Sequence, residues 1–225
     1  VACAIPHISV ILWLDRNEKE PLHLVITAFL WGAVIATGLS GLFNDIAGAV
    51  FQGVLGNDIL AAQATASFSA PFVEELTKGS AVMAVYLFFR RDFDNVLDGL
   101  VYGAMVGMGF AVFENFIYYV RTDDVQGVLT LTLIRGVITG VGTHAVFTAL
   151  TGGALGLFRV LRSGALRWFV PPAGLALAMF SHFAWNSFAG IISVVVDAVF
   201  HANTGIVVAV LVLQLPFLGL VLTVA

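Results

Sequence analysis

Long apolar runs with few charges constrain the fold of this chain more than any other feature. A run of about 20 apolar residues is long enough to cross a bilayer as a helix. Because these runs lack the apolar–polar alternation of a β-barrel strand, they predict a helical membrane protein. We expect an all-α, polytopic transmembrane bundle of about six to eight spans that forms a single domain over residues 1–225. The candidate spans are Leu22–Phe43, Ala70–Phe89, Val96–Val120, Val128–Phe158, Pro171–Val196 and Gly205–Ala225.

The composition excludes several other classes of protein. With 60% hydrophobic and 11% charged residues, the chain is too apolar for a soluble domain or a disordered one. Ten basic against fourteen acidic residues, a net charge of −4, argue against nucleic-acid binding. The single cysteine, Cys3, excludes an internal disulfide framework. The chain begins at Val1 and ends in an apolar run at Ala225, so we expect both ends to be trimmed.

The positive charges predict the orientation of the spans. If the polar segment Asp15–Glu20 is cytoplasmic, alternation places seven Lys and Arg residues inside and only Arg121 outside, a strong bias. The mildly polar residues 44–69 then form an external loop or a surface-lying helix. Glycines four residues apart, Gly103/Gly107, Gly136/Gly140 and Gly152/Gly156, predict close helix packing.

Ionisable side chains lie within four of these spans, where they are costly and usually face the protein interior. At about 1.5 Å per helical residue, each of the four spans brings one to a common layer, about 16–27 Å from the cytoplasmic edge. The candidate site residues are Glu74, Glu75, Lys78, Glu114, His144, His182 and Asn186.

Helical spacing refines these candidates. Glu74 and Glu75 are both within reach of Lys78, which can neutralise one carboxylate and leave the other free to act. His182 and Asn186 share a helix face, so one can bind a metal or polarise a water while the other donates to an oxyanion. Arg135 lies nine residues from His144 and faces away from it on a straight helix. This favours a carboxylate near the outer surface as its partner, unless Gly136, Gly140 and Gly142 bend the helix. Each feature also has a structural alternative, such as an ion pair or an interhelical hydrogen bond.

Two chemistries fit this set. Two histidines and a glutamate are a familiar zinc ligand set with water in the fourth position, which would make Glu114, His144 and His182 the ligands. Glu75, assisted by Glu74, would then deprotonate the water. In a metal-free version, Glu75 and a histidine activate the water and Asn186 contributes to an oxyanion hole. Both versions are amide hydrolysis inside a membrane.

The motifs resemble those of the PrsW family of intramembrane proteases, which is grouped with the CAAX-processing and bacteriocin-processing proteases and, more distantly, with the scaffold subunit of γ-secretase. The family hallmarks E-E-x-x-K, F-x-x-x-E, a later histidine and H-x-x-x-N/D all occur here in order. They read Glu74-Glu75-Leu76-Thr77-Lys78, Phe110-Ala111-Val112-Phe113-Glu114, His144, and His182-Phe183-Ala184-Trp185-Asn186.

The resemblance implies a protease in a bacterial or archaeal plasma membrane. Its expected partners are the lipid bilayer and membrane-anchored substrates such as anti-sigma factors, cleaved near the extracytoplasmic face. Two alternatives remain open: a non-catalytic scaffold whose polar cluster fixes helix packing, and a proton-coupled transporter. The absence of an internal repeat weakens the transporter reading.

Overall fold

A computed structural model of the chain describes residues 3–138, 140–162, 164–200 and 208. All regular structure in these residues is helical, which confirms the predicted all-α class. The predicted span Gly205–Ala225 lies outside the described residues, apart from residue 208. The α-helices are α1 (Ala4–Leu14), α2 (Leu22–Leu30), α3 (Thr37–Leu55), α4 (Asp58–Ala64), α5 (Ala70–Phe88), α6 (Val96–Val120), α7 (Val125–Leu131), α8 (Gly140–Val160) and α9 (Val170–Phe200).

Three π-helical turns lie within the described residues, each directly after an α-helix. They are Trp31–Ala36 between α2 and α3, Thr65–Ser69 between α4 and α5, and Thr132–Ile138 after α7. A π-helical turn holds one residue more than an α-helical turn and is frequent at functional sites. Each turn therefore changes the direction in which the residues that follow it point.

The helices agree with most of the predicted spans and correct one prediction. The predicted span Val96–Val120 coincides with α6, and Ala70–Phe89 ends one residue beyond α5. Of the two alternatives for residues 44–69, the external loop is wrong, because helix continues to Leu55 and resumes at Asp58. That this helix lies on the membrane surface stays a prediction. The break occurs at Gly56, which has φ of 61°, a conformation that favours glycine.

Two helical stretches of the described chain are long and apolar enough to cross a bilayer, Leu22–Leu55 and Val96–Val120. The charged residues Glu74, Glu75 and Lys78 lower the hydropathy of α5. The count of six to eight spans stays a prediction.

Helix α6 lies at the centre, and its glycines set how closely the neighbouring helices approach it. A methyl group on Gly103 would lie 2.5 Å from the carbonyl oxygen of Thr148 in α8, and one on Gly109 would lie 1.9 Å from that of Phe29 in α2. A methyl group on Gly152 of α8 would lie 1.9 Å from the carbonyl oxygen of Gly99 in α6. These backbone contacts confirm the predicted packing role of two of the three glycine pairs, Gly103/Gly107 and Gly152/Gly156, since small residues let helices approach closely.

Loops 15–21 and 89–95 lie at the same end of the bundle. The Tyr102 hydroxyl of α6 donates a short hydrogen bond to Glu20, and its ring stacks on Phe93. Arg159, at the end of α8, donates to the carbonyl oxygen of Arg90. Burial, with the nearby carboxylates of Asp98 and Asp15, raises the pKa of Glu20 to about 8.

Candidate active site

A polar cavity of about 690 Å³ lies among α3, the α4–α5 junction, α6, α8 and α9. Exposed charged residues, Asp45 and Arg121, lie on its wall, so we take them to mark its aqueous mouth. Deeper in, the cavity is lined by Glu74, Glu114, Arg135, His144, His182 and Asn186. Five of the seven predicted site residues therefore line one cavity, although they come from four helices.

The two acidic residues of α5, Glu74 and Glu75, have different hydrogen-bond partners. Glu75 is fully buried, and its Oε1 atom accepts a hydrogen bond from Lys78 Nζ at 2.6 Å. Its Oε2 atom accepts one from the Thr148 hydroxyl at 3.2 Å. Lys78 Nζ lies 3.9 Å from Glu74 Oε2, beyond hydrogen-bond distance. Lys78 therefore neutralises Glu75 and leaves Glu74 as the carboxylate that faces the cavity.

Glu74 has one satisfied and one unsatisfied oxygen. Its Oε1 atom accepts a hydrogen bond from the Asn44 side chain of α3 at 3.4 Å, and Asn44 in turn accepts one from Ser69 at 2.8 Å. Within the described part of the chain, the buried Oε2 atom has no hydrogen-bond partner. An unsatisfied buried carboxylate oxygen is costly and indicates a missing proton, water or cation.

His182 of α9 presents a second acceptor to this oxygen. Its Nδ1 atom lies 3.0 Å from Glu75 Oε1, and because a carboxylate only accepts, this nitrogen carries the proton. In the neutral ring, Nε2 then presents its lone pair, 3.8 Å from Glu74 Oε2. Two facing acceptors repel each other unless a proton or cation lies between them.

His144 of α8 lies between Lys78, which contacts the acidic pair of α5, and Glu114 of α6. Lys78 donates to its Nδ1 atom at 3.1 Å, and its Nε2–H donates to Glu114 Oε2 at 3.1 Å. Its ring packs edge-on against His182, with centroids 5.0 Å apart. One potential ligand atom each from Glu74, His144 and His182 lies within 4.8 Å of the others, and two histidines with a carboxylate suit zinc. The residues present therefore fit a metal ion.

Arg135 joins the site, although a straight helix would point it away from His144. Its Nη2 atom donates to Glu114 Oε2 at 2.5 Å and its Nε atom to the Asn115 side chain at 2.8 Å. Arg135 lies in the π-helical turn Thr132–Ile138, whose extra residue changes the helical phase relative to His144. The predicted carboxylate partner of Arg135 is Glu114, which also contacts His144; a regular helix cannot show that both side chains reach the same carboxylate.

Asn186 of α9 lines the cavity and is also tied to its wall. Its side-chain amide donates to the carbonyl oxygen of Ala66 at 2.8 Å, in the π-helical turn before α5. Sequence reasoning missed Asn44 and Thr148 as partners of the acidic pair. These hydrogen bonds are tertiary contacts between segments distant in sequence, and neither residue belongs to a recognisable motif.

The family model described as PrsW family intramembrane metalloprotease matches residues 20–218. The chain belongs to the PrsW family. The resemblance found in the four motifs is thereby confirmed.

Curated relatives of this PrsW family member agree with that assignment. The chain is 30% identical over 152 residues to Protease PrsW of Geobacillus kaustophilus, a match that covers 68% of the chain and 61% of the relative. It is 28% identical over 161 residues to Protease PrsW of Bacillus subtilis, covering 71% and 66%. The chain thus spans less than two thirds of the length of these relatives. No solved structure matches it.

Proposed function

We propose that the chain is an intramembrane peptidase that hydrolyses peptide bonds of membrane-anchored proteins. One observation carries this proposal: the buried, unsatisfied Glu74 Oε2 faces His182 Nε2 in a cavity that Glu114 also lines. The relatives' name, Protease PrsW, agrees with hydrolysis. The activity also requires a site inside the bundle that can hold and activate water, which this arrangement provides.

A metal ion would be held by Glu74, His144 and His182, with Glu74 in the place that the sequence analysis gave to Glu114. Zinc bound there would lower the pKa of a bound water and polarise the scissile carbonyl. His144 would exchange its contact with Glu114 for the ion. Glu75 would fix the ring of His182, as a carboxylate behind a ligating histidine commonly does.

Glu114 carries out the proposed proton transfers, and the remaining polar groups stabilise charge or hold other side chains in place. Glu114 lines the cavity and takes the proton of the attacking water as its oxygen bonds to the scissile carbonyl carbon. When the carbon–nitrogen bond breaks, Glu114 returns this proton to the leaving amine. Asn186 offers its second amide N–H to the developing oxyanion. Lys78 holds Glu75 ionised, and Arg135 orients Glu114.

The proposed setting follows from the charge distribution. Loops 15–21 and 89–95 share one end of the bundle, whereas Asp45 and Arg121 lie on the cavity wall, toward the other. With the more basic end cytoplasmic, the cavity opens toward the extracytoplasmic side of a bacterial or archaeal plasma membrane. Membrane-anchored proteins of the anti-sigma-factor type are the proposed substrates, by resemblance to the family.

Two measurements separate the proposed roles of Glu74 and Glu114. They are the metal content of the purified protein and the cleavage of a membrane-anchored reporter in proteoliposomes. Glu74→Gln should lose both, because it removes a ligand. Glu114→Gln should keep the metal and lose cleavage by about 10²- to 10⁴-fold, as expected for a missing general base. Glu18→Gln, an exposed carboxylate in the loop before α2, is the matched control and should keep both.

If Glu114→Gln loses the metal and Glu74→Gln keeps it, Glu114 is the metal ligand, as the sequence analysis predicts. Metal-free protein that still cleaves the reporter would assign water activation to the glutamates alone. If folded wild-type protein cleaves no membrane-anchored reporter, the peptidase proposal fails. A large loss of thermal stability in Glu75→Gln would then favour the scaffold.

A further inference from the structure

A narrow seam separates the cavity from the outer surface of the bundle where α9 meets the π-helical turn Thr65–Ser69. Ala66 and Ala70 line the cavity on one side of this seam, and Trp185 and Asn186 line it on the other. Two contacts join the sides directly. The Asn186 amide donates to the Ala66 carbonyl oxygen at 2.8 Å, and the rings of Phe68 and Phe183 lie 5.6 Å apart.

The outer face of the seam is aromatic. Phe68, Phe72, Phe180 and Phe188 are all exposed there, with Phe68 at 63%. Phe183 also packs edge-on against Phe188. Exposed apolar patches of this kind mark contacts with a membrane or with a partner. In a membrane protein, this face meets lipid or another transmembrane segment.

The seam is also next to the proposed reacting groups. His182 lies one helical turn before Asn186 on α9, and Glu74 lies about two turns after Ala66 on the helix that continues from the π-helical turn. Parting the two sides would therefore open a path from the bilayer to Glu74 and His182. Elsewhere near the site, α6 and α8 are in backbone contact through Gly103 and Gly107, which leaves no comparable separation between them.

We propose that the transmembrane segment of a membrane-anchored substrate enters the cavity laterally, by parting the turn Thr65–Ser69 from α9. This inference rests on the proposed peptidase function and adds the route and the kind of partner. A π-helical turn at this position agrees with such a role, because π-helical turns are frequent at functional sites. Phe68 and Phe183 contact the incoming apolar helix, whereas a short soluble peptide reaches the site through the mouth at Asp45 and Arg121.

The test crosslinks the seam. In a Cys3→Ser background, Phe68→Cys and Phe183→Cys are joined by a bifunctional methanethiosulfonate reagent that a reductant removes. We expect cleavage of a single-span reporter in proteoliposomes to fall by about tenfold or more, as for a blocked gate, and to return on reduction. Cleavage of a short soluble peptide should be unchanged. The matched control is Phe158→Cys with Trp168→Cys, whose native rings lie 5.0 Å apart near the opposite end of the bundle.

The outcomes are distinguishable. If the crosslinked protein cleaves the reporter at the uncrosslinked rate, the lateral route is wrong while the peptidase function stands. If the uncrosslinked parent cleaves neither substrate, the proposed function itself fails and the route fails with it. If the crosslink abolishes cleavage of both substrates, Phe183→Ala decides. A raised ratio of reporter to peptide cleavage supports the route, and an unchanged ratio overturns it.

Discussion

Gly107→Ala should displace residues of the site, although it changes none of their side chains. Gly107 lies on α6 where that helix contacts α8. A methyl group there would lie 2.2 Å from the carbonyl oxygen of His144 and 2.7 Å from Cα of Ala145. These are backbone atoms, so no side-chain rotation can relieve the overlap.

The required movement can be estimated from these distances. Ordinary non-bonded contacts lie near 3.5 Å, so α8 must withdraw from α6 by about 1 Å at His144. Overpacking of this kind costs about 1–3 kcal/mol of stability. The effect on catalysis is of similar size, because a displacement of about 1 Å at the site can cost about 10²-fold in rate, which corresponds to about 2.7 kcal/mol.

The assay pairs the initial rate of reporter cleavage in proteoliposomes with the midpoint of thermal unfolding in detergent. Gly79→Ala is the control: it lies next to Lys78 on α5, and the nearest atom to its new methyl group is the Thr151 side chain at 3.4 Å. We expect Gly79→Ala to retain the wild-type rate. A Gly107→Ala protein with wild-type rate and midpoint would refute the claim that close α6–α8 packing places His144.

Two further predictions concern charged groups, one buried in the middle of α5 and one in the loop before α2. Lys78→Met should lower the free energy of unfolding by about 3–5 kcal/mol, because it leaves the fully buried Glu75 carboxylate without its cation; adding Glu75→Gln should recover much of this loss in thermal melts. Glu20 has a folded-state pKa of about 8 against an ordinary value of 4.5, so its stabilising contribution is full below the ordinary value and is lost as the pH rises through 8. Glu20→Gln should therefore flatten the dependence of the unfolding midpoint on pH across this window, and a wild-type slope in that variant would contradict the assignment.

The sequence predicts α6 well because its signals are local. Asn95 and Asp98 form a capping box at its start, and the apolar run that follows has no competing interpretation. Residues 44–69 were harder, because Asn44 and Asp45 make the helix appear polar. The structure gives these residues a reason to be polar, since they line the cavity, and this depends on contacts that a linear pattern does not contain.

Five of the seven candidate site residues line one cavity, whereas their roles stay a prediction. Spacing on a single helix correctly placed Lys78 near two carboxylates. The sequence analysis chose Glu75 as the base, but helical spacing alone does not show which carboxylate Lys78 neutralises. That choice depends on His182 and Thr148, which reach Glu75 from other helices. The position of Arg135 depends on a π-helical turn, and regular helical geometry cannot foresee it.

The π-helical turn Thr132–Ile138 has a consequence for how relatives diverge. Deleting one residue there would restore α-helical hydrogen bonding without breaking the helix, and would rotate Arg135 by about 100° relative to His144. The guanidinium would then leave Glu114, and a basic residue at a neighbouring position would be needed to replace it. Insertions and deletions between the arginine and the histidine should therefore be single residues confined to this turn, each accompanied by a one-position migration of the arginine.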